Sequence, residues 1–190
     1  MRAFIAVELP KTTRDSLRHI QEELKASGAD VKWVKPENIH LTLKFLGEID
    51  PDQLAKINLI LDAVSKEKKS FSIRLSSLGA FPKMDYPRVI WAGIDRGEGQ
   101  TQELAKALEA KIEKLGIPKE ERAFSSHITI GRIKSNLGRD KLVASLKGLR
   151  GYFNDHPQEL TVTKITLFKS TLAPAGPVYE AVKEAHLAAT

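Results

Sequence analysis

Short stretches of this chain alternate apolar and polar residues, and the segments between them repeat apolar residues every three or four positions. The first pattern is typical of β-strands and the second of α-helices. Together they predict an α+β fold in which the order strand, helix, short strand, strand, helix, strand occurs twice. Two prolines within residues 81–87 predict a loop that separates the two series.

The second series also resembles the first in its residues. Its opening strand, residues 88–93, is similar to residues 2–7, and a His-x-Thr stretch follows each of these strands at nearly the same distance. We therefore predict one bilobal domain over residues 1–190 with an internal duplication. Two pseudo-symmetric lobes, at about 1–85 and 86–190, would each be a mainly antiparallel sheet with outer helices, and a central cleft would lie between them.

The repeated stretches are His40-Leu41-Thr42-Leu43 and His127-Ile128-Thr129-Ile130. On a strand, side chains two positions apart share a face, so each His would point the same way as its Thr. One neutral imidazole can accept a proton as general base while the other, protonated, donates one as general acid. Hydroxyl donors suit the non-bridging oxygens of a phosphate held between them. His40, His127, Thr42 and Thr129 are the predicted catalytic residues, and the residues alone leave open which histidine is the acid.

The composition narrows the chemistry further. The chain has no cysteine, which excludes disulfides, thiolate zinc sites and cysteine nucleophiles. No carboxylate or third histidine stands at a metal-ligand spacing, so we expect no metal and no cofactor. The remaining histidines lack the repeated context and are expected to be solvated or structural: His19, His156 and His186.

Charge and hydropathy bear on partners and compartment. A net charge of +6 suits a polyanion such as RNA without requiring one. No apolar stretch has the length of a membrane span or of a signal peptide. We therefore expect a soluble, cytoplasmic protein with no membrane partner.

The two motifs resemble the paired signatures of the two-histidine (2H) phosphoesterase superfamily. Other stretches are similar to its RNA 2′,3′-cyclic phosphodiesterase branch, historically named 2′-5′ RNA ligase. Those stretches are residues 2–10, 33–40, 45–47, 78–82 and 169–172, with Gly176, Pro177 and Tyr179. The resemblance extends over essentially the whole chain. One departure is Ser126, which stands where the branch commonly has proline, and we expect it to affect the start of the strand more than the chemistry.

The resemblance implies a bilobal fold with a central cleft and hydrolysis of a terminal 2′,3′-cyclic phosphate to a 2′-phosphate. It assigns His40 as the proton donor to the ribose 3′ oxygen and His127 as the proton acceptor from water. The implied partners are RNA ends with a 2′,3′-cyclic phosphate, tRNA fragments among them, acted on by a monomer. Two alternatives stay open: 2′-5′ ligation of such an end to a 5′-hydroxyl RNA, and a non-catalytic module that binds RNA ends.

Two basic residues are candidates for substrate binding. The family places a substrate-contacting arginine five residues after the second histidine, which matches Arg132. Strict alternation would turn Arg132 away from His127, but a bulge at Gly131 would re-aim it. Lys44 is four residues after His40, so strict alternation puts both side chains on one face of the strand. Lys44 is therefore predicted to face the mouth of the cleft. A solvated basic side chain is the alternative for both residues.

An aromatic side chain is also expected to stack on the terminal base of the RNA. The sequence does not separate three candidates for this role: Phe4, Tyr86 and Tyr179.

Overall fold

The structure is a computed structural model that describes residues 1–190, and it confirms the predicted α+β class. The chain forms nine strands and five helices, with single 3₁₀ turns at residues 36–38 and 113–115. In order, the elements are β1 (Arg2–Glu8), α1 (Lys11–Lys25), β2 (Val31–Trp33), β3 (His40–Glu48), α2 (Pro51–Glu67), β4 (Phe71–Lys83), β5 (Tyr86–Ile94), α3 (Glu98–Ile112), β6 (His127–Ile133), α4 (Arg139–Leu149), α5 (Tyr152–Asp155), β7 (Glu159–Val162), β8 (Lys164–Ala173) and β9 (Gly176–His186).

The strands form two sheets in which every pair is antiparallel. The first sheet has the order β3-β1-β8-β9, and the second sheet has the order β2-β6-β5-β4-β7. Helices α2 and α3 pack on the first sheet, whereas α1 and α4 pack on the second. Apolar side chains from both sheets and their helices join one continuous buried cluster. No helix is both long enough and apolar enough to cross a membrane.

The sheets do not coincide with the predicted lobes at residues 1–85 and 86–190. Strands β2 and β4, from the first half of the chain, lie in the second sheet, and β8 and β9, from the second half, lie in the first sheet. For β4, the reason is that residues 81–87, predicted as a separating loop, are the end of a hairpin that pairs it with β5. Pro82 lies opposite Pro87 beside a register shift, where a missing N–H disturbs the ladder least.

Candidate active site

The two motif strands approach each other at the boundary between the sheets. β3 is the edge strand of the first sheet, β6 lies one strand from the edge of the second, and the two are in contact. In each strand the apolar residues of the motif are buried, while the His and the Thr are only partly buried. The faces that carry the histidines are therefore the walls of the cleft.

Both imidazoles are held in the same orientation by the backbone two residues earlier. Nδ1 of His40 donates to the carbonyl oxygen of Asn38 at 2.6 Å, and Nδ1 of His127 donates to that of Ser125 at 2.7 Å. Because a carbonyl oxygen only accepts, Nδ1 carries the hydrogen in both neutral rings, and Nε2 is the nitrogen left to exchange a proton. Nε2 of His40 lies 2.8 Å from Oγ1 of Thr42.

Aromatic rings pack around each imidazole. Phe4 stacks on His40 with ring centroids 4.8 Å apart, and Tyr179 meets the same imidazole edge-on at 5.5 Å. Phe81 meets His127 edge-on at 5.1 Å. These contacts restrict the rings and remove water from their faces.

Burial governs the pKa of each histidine. The pKa of His40 lies below 6.5 because burial disfavours the imidazolium, although the hydrogen bond to Asn38 opposes this effect. Burial also lowers the pKa of His127 below 6.5, the hydrogen bond to Ser125 opposes it, and the positive charge of Arg132 lowers it further. Both histidines are therefore mainly neutral at pH 7 in the free protein.

Each motif strand contains a β-bulge three residues after its histidine. In β3, Lys44 pairs with Ile5 and Thr42 pairs with Ala6, so Leu43 has no partner. In β6 a matching register shift leaves Ile130 without a partner, because Gly131 pairs with Ile90 and Thr129 pairs with Trp91. A bulge shifts the alternation of every residue beyond it to the opposite face.

The bulge in β6 turns Arg132 toward His127. Arg132 lies opposite Val89 and Thr129 lies opposite Trp91. Because Val89 and Trp91 are two residues apart on β5, they share a face, and Arg132 therefore shares the face of Thr129. Its charge acts on the pKa of His127, as expected at short range.

The bulge in β3 has the opposite effect on Lys44, and the prediction that this side chain faces the cleft mouth is wrong. Lys44 is only 2% exposed. Its Nζ donates to Oε1 of Glu109 at 2.9 Å and to the carbonyl oxygen of Pro118 at 2.8 Å. This ion pair ties α3 and the segment after it to the core side of β3. Lys44 is therefore a structural residue and cannot reach a substrate in the cleft.

Arg132 and Tyr179 connect the two motifs. Burial raises the pKa of Tyr179, and the positive charges of Arg132 and Arg2 lower it in part. The Arg132 guanidinium thus lies near both His127 and Tyr179, and Tyr179 contacts His40.

A cavity of about 440 Å³ opens beside His40. Its lining includes Asn38 and Tyr179, two cationic side chains (Arg14 and Lys35) and two acidic ones (Glu8 and Glu37). The volume falls in the range of small-molecule sites. A hollow of about 480 Å³ near Gly28 and the start of α4 has none of the motif residues in its lining.

The structure separates the three aromatic candidates. Phe4 is buried beneath His40, so it supports the imidazole and has no free face. Tyr86 lies at the β4–β5 hairpin, where the guanidinium groups of Arg88 and Arg139 lie over its ring. Tyr179 is the only one of the three that both contacts a motif imidazole and is partly exposed.

Sequence reasoning missed Phe81 and Trp91 on the second wall. Trp91 lies beside Thr129, and Phe81 contacts both Trp91 and His127. Both positions belonged to stretches already singled out, but their place in the cleft follows only from the pairing of β4 with β5. No three His, Cys, Asp or Glu side chains lie close enough to hold a metal ion.

The chain matches the family model described as LigT like phosphoesterase over residues 7–91 and 94–179. It is 36% identical to the RNA 2′,3′-cyclic phosphodiesterase of Methanothermobacter thermautotrophicus over 179 residues, which cover 94% of this chain and 95% of that protein. It is 38% identical to the enzyme of the same name from Aquifex aeolicus over 190 residues, 98% of this chain and 97% of the relative.

Solved structures show the same architecture. A crystal structure of a Thermus thermophilus protein matches with a TM-score of 0.80 and 31% identity, covering 98% of each chain. The crystal structure of E. coli LigT in apo form matches with a TM-score of 0.79 and 26% identity, covering 98% of this chain and 97% of LigT.

Proposed function

Because this chain belongs to the LigT-like phosphoesterase family, we propose that it is an RNA 2′,3′-cyclic phosphodiesterase whose reaction takes place between His40 and His127. The enzyme is a hydrolase of phosphoric diesters. The observation that supports this function most is the contact between β3 and β6, which brings the two strands that carry the His-x-Thr motifs together at the boundary between the sheets. Acid and base can then act on a single phosphorus atom.

In the proposed mechanism, Nε2 of His127 removes a proton from water, and the water oxygen attacks phosphorus opposite the ribose 3′ oxygen. The bond between phosphorus and O3′ breaks while protonated His40 donates its Nε2 proton to O3′. The 2′ oxygen keeps the phosphate, so the product is a 2′-phosphate. The charge of Arg132 supports this assignment because it favours the neutral form of His127, which a base requires.

The same geometry assigns roles to the remaining polar groups. The Thr42 hydroxyl, now 2.8 Å from Nε2 of His40, would turn to a non-bridging oxygen of the phosphate, and Thr129 would do the same from the second wall. Arg132 would hold a further oxygen with its forked donors, for which arginine is well suited. None of these steps requires a metal ion.

The substrate class is RNA with a 2′,3′-cyclic end. The cavity beside His40, on the side of the leaving 3′ oxygen, has room for the terminal nucleoside, with Tyr179 at its border. We further propose tRNA fragments as one source of such ends and the cytoplasm as the location. One chain supplies both histidines, which supports action as a monomer.

We expect kcat/KM for a nucleoside 2′,3′-cyclic phosphate to give a bell-shaped pH profile with its maximum below about pH 6.5. The low-pH limb marks protonation of the base, and the high-pH limb marks loss of the proton from the acid. Since kcat/KM reports the free enzyme and both histidines have a lowered pKa there, both limbs shift to lower pH. The measurement is initial-rate kinetics from about pH 4.5 to about pH 8.5, a range that spans both limbs, with EDTA present throughout.

A plateau that persists above about pH 7.5 would contradict the pairing of an acid with a base. Complete loss of turnover in EDTA, restored by a divalent ion, would contradict the metal-independent mechanism.

A further inference from the structure

Gln21 is a buried amide on α1 that contacts the second motif strand. It is only 2% exposed. Its Nε2 donates to the carbonyl oxygen of Val34 at 2.7 Å and to that of Ile130 at 2.9 Å. Because carbonyl oxygens only accept, the amide has one orientation and uses both of its hydrogens. The other long side chains on the buried face of this helix are apolar: Leu17, Ile20 and Leu24.

Ile130 is the bulged residue of β6 and has no partner on β5. A bulge takes a residue out of the ladder, so its backbone groups need other partners. The carbonyl oxygen of Ile130 accepts from the backbone N–H of Val34 at 3.0 Å and from Gln21. Helix α1 therefore supplies a donor at the position where β6 departs from regular pairing.

The second hydrogen bond of Gln21 leads to the first motif. Val34 follows β2 and begins the segment that runs through Asn38 to His40. The carbonyl oxygen of Asn38 accepts from Nδ1 of His40 and orients the imidazole. The amide of Gln21 therefore connects the backbone that precedes the first motif with the backbone of the second.

The bulge at Ile130 decides where Arg132 points. Strict alternation without the bulge would turn Arg132 away from the face of Thr129. With the bulge, Arg132 lies opposite Val89 and shares that face. An apolar residue at position 21 would leave the Ile130 carbonyl oxygen with one donor instead of two. Loss of the Gln21 donor therefore weakens the bulged arrangement relative to regular pairing.

We propose that Gln21 is a positioning residue, which holds the carbonyl of Ile130, fixes the bulge of β6 and so directs the guanidinium of Arg132 at the reacting phosphate. Gln21 itself lies beneath the strand and acts only through Arg132. This inference rests on the proposed function, in which Arg132 holds a phosphate oxygen. A residue with a purely structural role would instead affect the whole fold, whether or not Arg132 is present.

The test places Gln21→Met, which keeps the length of the side chain but cannot donate, in two backgrounds. In the otherwise unchanged protein it should lower kcat for a nucleoside 2′,3′-cyclic phosphate by about 10-fold or more, the scale of a misplaced catalytic group. In Arg132→Ala the same substitution should change kcat by less than about 2-fold, because the group that it displaces is already absent.

The pH profile gives a second readout. The positive charge of Arg132 lowers the pKa of His127. Gln21→Met turns this charge away, so the low-pH limb of kcat/KM should move to higher pH, in the direction expected when Arg132 is removed. The shift should disappear when Gln21→Met is compared with its parent in the Arg132→Ala background.

Thr101→Val is the matched control. Thr101 is fully buried on α3, and its hydroxyl donates to the carbonyl oxygen of Gly97 at 2.8 Å. Its loss should lower the melting temperature but change neither kcat nor the low-pH limb. Gln21→Ala is the second variant, because it leaves room for a water molecule to reach both carbonyl oxygens if Gln21→Met does not fold.

An equal fall in kcat with and without Arg132 would show that Gln21 supports the fold in general, and it would overturn the proposal. A wild-type kcat in folded Gln21→Met would also overturn it, as would failure of both Gln21 variants to fold in thermal unfolding experiments. None of these results would bear on the proposed hydrolysis, which turnover of the same substrate by the wild type tests separately.

Discussion

His127→Ala is expected to lower kcat for hydrolysis of a 2′,3′-cyclic phosphate by about 10³-fold, and His40→Ala by a similar factor, the scale of a lost general base or acid. Each variant leaves its partner histidine in place but removes one of the two proton transfers. The double variant should be little slower than either single variant, because residues that act as a unit have non-additive effects. Steady-state initial rates at saturating substrate give kcat, and thermal unfolding shows whether each variant is folded.

A substrate with a bridging sulfur at the 3′ position separates the two roles. A thiolate leaves without protonation, so this substrate should restore much of the rate of His40→Ala and none of that of His127→Ala. His19→Ala is the matched control, because this histidine is exposed on α1 and distant in sequence from both motifs. Rescue of His127→Ala in place of His40→Ala would reverse the assignment of acid and base.

Arg132→Ala is expected to lower kcat by about 10²-fold, the usual effect of removing one donor to a transition-state oxyanion. Arg132→Lys should recover only part of this loss, because a single ammonium cannot replace the forked donors. The low-pH limb of kcat/KM should also move to higher pH in Arg132→Ala. The reason is that the positive charge of Arg132 lowers the pKa of His127, and the base regains its proton more readily without that charge.

Arg18 is on the exposed face of α1, so Arg18→Ala removes the same charge elsewhere. This variant should change neither kcat nor the position of the low-pH limb of kcat/KM. A normal kcat in Arg132→Ala would exclude a contact between Arg132 and the reacting phosphate. An unshifted low-pH limb would place the base elsewhere than His127.

The two motif strands and their partly buried histidines follow from alternation alone. The distribution of strands between the sheets does not. Strands β4 and β8 each have an apolar face that fits either sheet. Their hydrophobic patterns therefore do not reveal that β4 pairs with β5 and β7, or that β8 pairs with β1, across the two halves of the chain. The two segments matched by the family model, 7–91 and 94–179, divide the chain near the predicted boundary, and the duplication itself stays a prediction.

The two bulges explain why strict alternation predicted the orientation of the threonines correctly but not that of the residues after the bulges. Gly131 suggested a bulge in β6, and the register shift next to it turns Arg132 to the cleft. No glycine marks the matching bulge in β3, so alternation placed Lys44 in the cleft when it lies in the core. The position of Trp91 next to the second motif was missed because it depends on the pairing of β5 with β6, which places Trp91 opposite Thr129.

The most direct test of the mechanism is to identify the product formed from a single substrate. An RNA oligonucleotide with a 2′,3′-cyclic end is treated with the enzyme in EDTA, and its 2′-phosphate and 3′-phosphate products are resolved by chromatography. If His40 protonates the 3′ oxygen while His127 activates water, the only product is the 2′-phosphate. A 3′-phosphate product, a mixture of the two, or no turnover would contradict this mechanism.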